Sequence, residues 1–176
     1  TESMLRKLTL RKPLTVGVFQ NQSPSEINAI VEETGIDVVQ LHGDEPATFC
    51  DQVSVPCLRV LHVPLSKGIG EEAVDVDALV TNAKSFEGKA IALVLDSRIP
   101  GTSGGGTGAT FDWEVVTKLG GMPVILAGGL TSSNVGDAVS IPGVLGVDVS
   151  SGVEIKDQAG KKDEALVKAF IEAAKA

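Results

Sequence analysis

Six short apolar, β-rich runs alternate with helix-like segments along the chain, and this alternation restricts the fold more than any other feature. The runs are Leu14-Thr15-Val16-Gly17-Val18-Phe19, Asp37-Val38-Val39-Gln40-Leu41, Pro56-Cys57-Leu58-Arg59-Val60-Leu61, residues 90–95, residues 123–126 and Val144-Leu145-Gly146-Val147. Between the first two, Ser23-Pro24-Ser25-Glu26 has the pattern of a capping box with proline in the first turn. Ile27, Ile30, Val31 and Thr34 then share one helical face, and Gly35 stops the helix. Further helices are expected over residues 46–53, 71–85, 112–119, 131–140 and 161–175. A strand–helix alternation of this kind buries a parallel sheet with right-handed crossovers. Two architectures satisfy it, a doubly wound open sheet or part of a (β/α)8 barrel.

The chemistry-bearing residues discriminate between them. Leu93-Val94-Leu95-Asp96-Ser97 is an apolar run that delivers a carboxylate to a glycine-rich loop over residues 101–108. Ala127-Gly128-Gly129-Leu130 follows the fifth run, and Asp148-Val149-Ser150-Ser151-Gly152 follows the sixth. All three lie on the C-terminal side of successive strands. They would face alternate sides of a doubly wound sheet but converge on one mouth of a barrel, where the last two strands also carry the usual phosphate loops. The expected fold is therefore a parallel (β/α)8 TIM barrel of which about six βα units, strands three to eight, are present. Residues 1–13 are read as a linker or the remnant of a preceding helix, and residues 14–176 as the partial barrel.

A carboxyl at a buried strand end can hold its proton near neutrality, which suits Asp96 to general-acid work; an ordinary loop cap is the competing reading. Backbone N–H groups of Gly128 and Gly129 before a helix, and of Ser150, Ser151 and Gly152, can cradle a phosphate or merely punctuate turns. Gly106 and Gly108 belong either to a third such cradle or to a lid. The stretch Gly104-Gly105-Gly106-Thr107-Gly108-Ala109 brushes the dinucleotide fingerprint, but no acid ends the next strand, so that reading fails. Asp148 orients a sugar or accepts a backbone hydrogen bond. Together these residues point to a phosphorylated small molecule.

Composition removes other classes. With 15 basic against 23 acidic residues the net charge is -8, which repels nucleic acid and anionic membranes. No apolar run reaches the ~18 residues of a membrane span, and no signal peptide is recognisable, so a cytoplasmic location is expected. Thr1 in place of an initiating Met hints at a chain cut from something longer. Cys50 and Cys57 match neither a disulfide framework nor metal-ligand spacing and are read as structural. With only His42 and His62, a histidine-rich metal site is not expected, and no metal or organic cofactor is assigned; His42 is expected to order its loop.

The motifs as a set resemble phosphoribosylanthranilate isomerase. The resemblance rests on Val16-Gly17-Val18-Phe19-Gln20-Asn21-Gln22, Val39-Gln40-Leu41-His42-Gly43-Asp44-Glu45 and Leu95-Asp96-Ser97. It continues through Gly104-Gly105-Gly106-Thr107-Gly108, Asp112-Trp113, Leu126-Ala127-Gly128-Gly129-Leu130 with Asn134-Val135, and Gly146-Val147-Asp148-Val149-Ser150-Ser151-Gly152-Val153-Glu154. It runs from about Leu14 to the C-terminus in the family's order and is most like the fungal form, often the last domain of a multifunctional tryptophan-biosynthesis polypeptide. The resemblance implies a cofactor-free Amadori rearrangement of N-(5-phosphoribosyl)anthranilate, with Asp96 as the acid that protonates the furanose oxygen. The family's general base is a cysteine in a Lys-Val-Cys-Gly-like first strand, and no segment here matches it; nor does any residue match the arginine that faces the anthranilate carboxylate. The chain alone is thus expected to be inactive and to need upstream domains or a homodimer. The alternatives are a non-catalytic phosphate-binding module and another phosphosugar barrel enzyme such as indole-glycerol-phosphate synthase.

Overall fold

A computed structural model describes residues 13–65, 75–98 and 110–176. Strands β1 (Val16–Phe19), β2 (Val38–Leu41), β3 (Cys57–Pro64), β4 (Ala92–Arg98), β5 (Val124–Leu126) and β6 (Val144–Val147) form one parallel sheet in chain order. The α-helices are α1 (Pro24–Thr34), α2 (Val76–Ser85), α3 (Val135–Val139) and α4 (Glu164–Lys175), with 3₁₀ helices at Ala47–Gln52, Trp113–Lys118 and Ser151–Val153. A doubly wound sheet reverses its strand order at a switch point. Here every strand neighbours the next in sequence, so that architecture is excluded.

The two faces of the sheet are covered differently. Phe19, Val39 and Leu41 pack with Ile27 and Val31 of α1, while Leu61, Leu93, Leu95, Val124 and Leu126 pack with Ala83, Phe86, Val135, Ala138 and Phe170. The other face buries Val38, Leu58, Val60, Ala92, Val94 and Ala127 against one another, with no helical residue in that cluster among the described residues. Side chains on one face of a sheet cover each other in this way only when the sheet curls toward that face. Burial on both faces explains why the strands read as nearly continuous apolar runs. At the edges the covering fails: Val16 and Val18 on β1 and Leu145 on β6 are exposed.

The start of α1 is as the sequence reads. Ser23 Oγ accepts from the Glu26 N–H at 3.3 Å, the Glu26 carboxylate accepts from the Ser23 N–H at 2.8 Å, and Gly35 closes the helix at φ 70°. Other boundaries differ. Strands β3 and β4 run past Leu61 and Leu95 because they pair continuously from Leu58↔Ala92 to Pro64↔Arg98, so polar residues are carried into the ladder. The segments near 46–53 and 112–119 are 3₁₀ rather than α-helical. The helix expected over 131–140 shortens to α3, because Asn134 Oδ1 accepts from the Thr131 N–H and Nδ2 donates to the Gly129 carbonyl, which holds the preceding turn out of the helix. Helix α2 is described from Val76, capped by Asp75; the earlier part of its expected range lies outside the described residues, as do positions 1–12 of the expected linker.

Ile27 is fully buried where α1 meets the sheet, whereas Ser23 serves only the helix end. Ile27→Ala should therefore cost about 2–5 kcal/mol and Ser23→Ala about 1 kcal/mol in urea unfolding. The reverse order would show that the cap, not the packing, holds α1.

Candidate active site

The extended β3–β4 ladder sets His62 and Asp96 opposite each other in register, on the face away from the helices. His42 follows β2 directly, and its N–H donates to the Phe19 carbonyl at 2.8 Å, so the ends of β1 and β2 are tied together beside them. His42 Nε2 lies 3.8 Å from Asp96 Oδ2. The two imidazoles meet edge to face with centroids 5.0 Å apart, and His62 Nε2 is 3.2 Å from the His42 carbonyl. Asp148 follows β6, its N–H donating to the Leu126 carbonyl at 2.7 Å.

Burial at this mouth acts oppositely on acid and base. It pushes the Asp96 carboxyl above the usual aspartate range, helped by the negative charge of Asp148 and opposed by the two histidines and the Ser97 N–H. It lowers His42, with help from His62 and against the pull of Asp96, Glu45 and Asp148. Asp96 is thus biased toward its protonated form next to a histidine biased toward neutrality, which is what a general acid at a strand end requires.

The loops expected to hold phosphate are brought together in part. Gly128 has φ 78° and Gly129 φ 68°, and a side chain at Gly128 would press on Asp96 Oδ1 at 2.7 Å and on the Ser97 backbone. Only glycine lets that loop lie against the acid. A side chain at Gly152 would overlap the Leu130 carbonyl oxygen, so the loop after β6 rests directly on the loop after β5. Helix α3 is five residues long and separated from Gly129 by a turn, so a helix dipole adds little to this pair. Gly106 and Gly108 lie outside the described residues, as does the side chain of Arg98. Sequence reading missed Lys162, whose Nζ donates to the Ser150 carbonyl (2.9 Å), Ser150 Oγ (3.1 Å) and Glu154 Oε1 (2.7 Å). Lys162 reads as part of the last helix; Glu154↔Lys162 bridge pairing, set by the turn between them, places it at the loop instead.

Sequence reading also assigned no role to Glu45 or Arg59. The buried Glu45 carboxylate accepts from the Asn21 N–H (2.7 Å), the Gly43 N–H (3.0 Å) and Arg59 Nη1 (2.8 Å). Asn21, itself at φ 63°, accepts the Asp44 N–H on its side chain. One carboxylate therefore joins the loops after β1 and β2 to β3 and fixes the path into His42, while the Arg59 guanidinium stacks 5.1 Å over Phe86. Nothing in the spacing of these residues announces a contact that forms only across three strands.

Cys50 and Cys57 share a thiol hydrogen bond that lowers Cys50 and, with burial, pushes Cys57 upward. Cys57 starts β3 on the helix-facing side, the end opposite His62, which places the pair outside the site. A cavity of about 450 Å³ near Phe111, Trp113 and Ile141 contains none of the strand-end residues.

Residues 2–173 match the family model described as N-(5'phosphoribosyl)anthranilate (PRA) isomerase. The chain is 43% identical over 173 residues to the tryptophan biosynthesis protein TRP1 of Phytophthora nicotianae, covering 97% of this chain but 32% of that protein. It is 41% identical to an N-(5'-phosphoribosyl)anthranilate isomerase of Neisseria meningitidis, covering 94% of this chain and 74% of the relative. The phosphoribosyl anthranilate isomerase structure from Thermotoga maritima superposes with a TM-score of 0.72 at 29% identity, over 97% of this chain and 78% of that one. The six-stranded parallel sheet is thus of the barrel-like type seen in that enzyme.

Two measurements probe the site. Glu45→Ala leaves Arg59 buried and unpaired and should cost about 3–5 kcal/mol in urea unfolding; a neutral result would remove Glu45 as the tie between loops. In an NMR pH titration, His42 should titrate below the ordinary histidine range. Asp96→Asn removes a negative charge that raises it and should move it lower still, whereas His62→Gln should move it up. Shifts of the opposite sign would show that the charges of Asp96 and His62 do not act on His42 as this packing requires.

Proposed function

We infer that this chain, which belongs to the N-(5'-phosphoribosyl)anthranilate isomerase family of tryptophan biosynthesis, carries the acid and phosphate half of the aldose–ketose isomerase site. The observation that carries the reading is Asp96, raised by burial, beside neutral-biased His42 and against the glycine backbone at Gly128. In the proposed reaction the Asp96 carboxyl gives its proton to the furanose oxygen as the ring C–O bond breaks, leaving a Schiff base. A general base then takes the proton from the adjacent carbon, and the electrons shift to the enamine that becomes the aminoketose. Gly128 and Gly129 with Ser150, Ser151 and Gly152 are proposed to bind the phosphate, joined by Gly106 and Gly108; Asp148 is proposed to orient the sugar.

The base is proposed to come from two further strands that bridge β1 and β6 and complete an eight-stranded barrel. Supporting this are the linear strand order, the exposed Val16 and Val18 on one edge and Leu145 on the other, and the absence of any segment matching the family's Lys-Val-Cys-Gly-like strand. The small share of the Phytophthora protein that this chain spans supports a place in a longer, multifunctional polypeptide, here proposed to be fungal-type and cytoplasmic. A homodimer is the other proposed source of cover for the edges.

Substrate turnover, followed by loss of phosphoribosylanthranilate fluorescence, tests this. The chain alone should be inactive. Fusion to two βα units bearing the Lys-Val-Cys-Gly-like strand should restore turnover, and Asp96→Asn should then lower it by about 10²–10⁴-fold. Turnover by the chain alone that Asp96→Asn abolishes would place a base within these residues. An inactive fusion that still binds phosphate would favour the non-catalytic phosphate-binding module.

A further inference from the structure

We propose that His42, His62 and Asp96 together form a binding site for a divalent transition-metal ion of the zinc class. One ring nitrogen from each histidine and one Asp96 oxygen all lie within 4.8 Å of one another. Bonds of ~2.0–2.1 Å in a tetrahedral site put neighbouring donors about 3.3 Å apart, so rotamer adjustments, not backbone movement, close the set. The His42 Nε2 to Asp96 Oδ2 edge, at 3.8 Å, is nearly there already. Two residues of the set are held in register on adjacent strands and the third by the His42 N–H to Phe19 bond, so little ordering remains to be done on binding.

The donor set selects the ion. Two imidazoles and one carboxylate suit Zn²⁺, Co²⁺ or Fe²⁺ and leave a position open to water, whereas Mg²⁺ and Ca²⁺ favour oxygen alone. The side chains of His42 and Asp96 are about one-third and one-quarter exposed, which gives an ion access from the mouth. Among the described residues the buried His42 Nδ1 has no hydrogen-bond partner, so the outer hydrogen bond that strengthens a resident metal site is missing there. Binding is therefore reversible and weaker than in structural zinc sites. Counting two histidines in the sequence argues against a metal; the fold gathers both of them with Asp96. Metal ligation and protonation of Asp96 exclude each other, so on the isomerase reading the bound ion inhibits; the binding itself does not rest on that reading.

The test is titration of this chain with Co²⁺, read by visible absorption, and needs no turnover. One equivalent should produce the d–d bands of a low-coordinate ion, Zn²⁺ should displace it, and excess Mg²⁺ should not. His42→Gln, His62→Gln and Asp96→Asn should each weaken binding by more than about 10–100-fold, the loss expected for an outer partner alone, while far-UV circular dichroism stays unchanged. Should a variant unfold, selective paramagnetic broadening of both imidazole resonances in the unsubstituted chain answers the same question. Absence of the bands, binding that survives all three substitutions, or thiolate charge-transfer bands lost on Cys50→Ser would overturn the site.

Discussion

The pairing of β3 with β4 is the constraint on which the rest depends. It is the longest register in the sheet, and its residues are buried on both faces through Leu61 and Leu95. Those apolar layers make the ladder rigid, and the ladder continues past them, so His62 and Asp96 are positioned by backbone hydrogen bonds that the core has already secured. A one-residue slip would send Asp96 to the helix-facing side, into the layer of Leu93 and Leu95. The acid is therefore as well specified as the core itself.

From that ladder outward, precision is supplied by polar contacts centred on the buried Glu45. Glu45 gathers two loop N–H groups and the Arg59 guanidinium, Asn21 Oδ1 accepts the Asp44 N–H, and Asn134 ties Thr131 to Gly129. Loops that would otherwise be mobile are locked because each buried charge or amide must be satisfied. The site itself breaks that economy: burial, helped by the charge of Asp148, pushes the Asp96 carboxyl above the usual aspartate range.

Much of the fold was legible in the sequence. Six apolar runs announced six parallel strands because strands buried on both faces must be apolar throughout. The Ser23–Glu26 box and Gly35 announced both ends of α1 because capping is local chemistry. What misled was equally local: an apolar run marks where a strand is buried, not where its hydrogen bonds stop, so β3 and β4 were read as ending before His62 and Asp96. Helical spacing after Gly129 was overruled by Asn134, which bonds the backbone that a longer helix would have used.

Asp96 and the glycines at Gly128 and Gly129 were visible as candidates because residue type and strand-end position suffice to mark a carboxylate and a tight turn. Their meaning was not. That Gly128 must lack a side chain because Asp96 lies against it, that Lys162 reaches Ser150, and that Glu45 binds three strands together are facts about residues far apart in the chain. The sequence by itself determined the strand–helix alternation and a carboxylate at a strand end, since these follow from short-range periodicity and residue chemistry. Only the tertiary structure decided the company that acid keeps, because burial and electrostatic neighbours exist only once distant segments have packed.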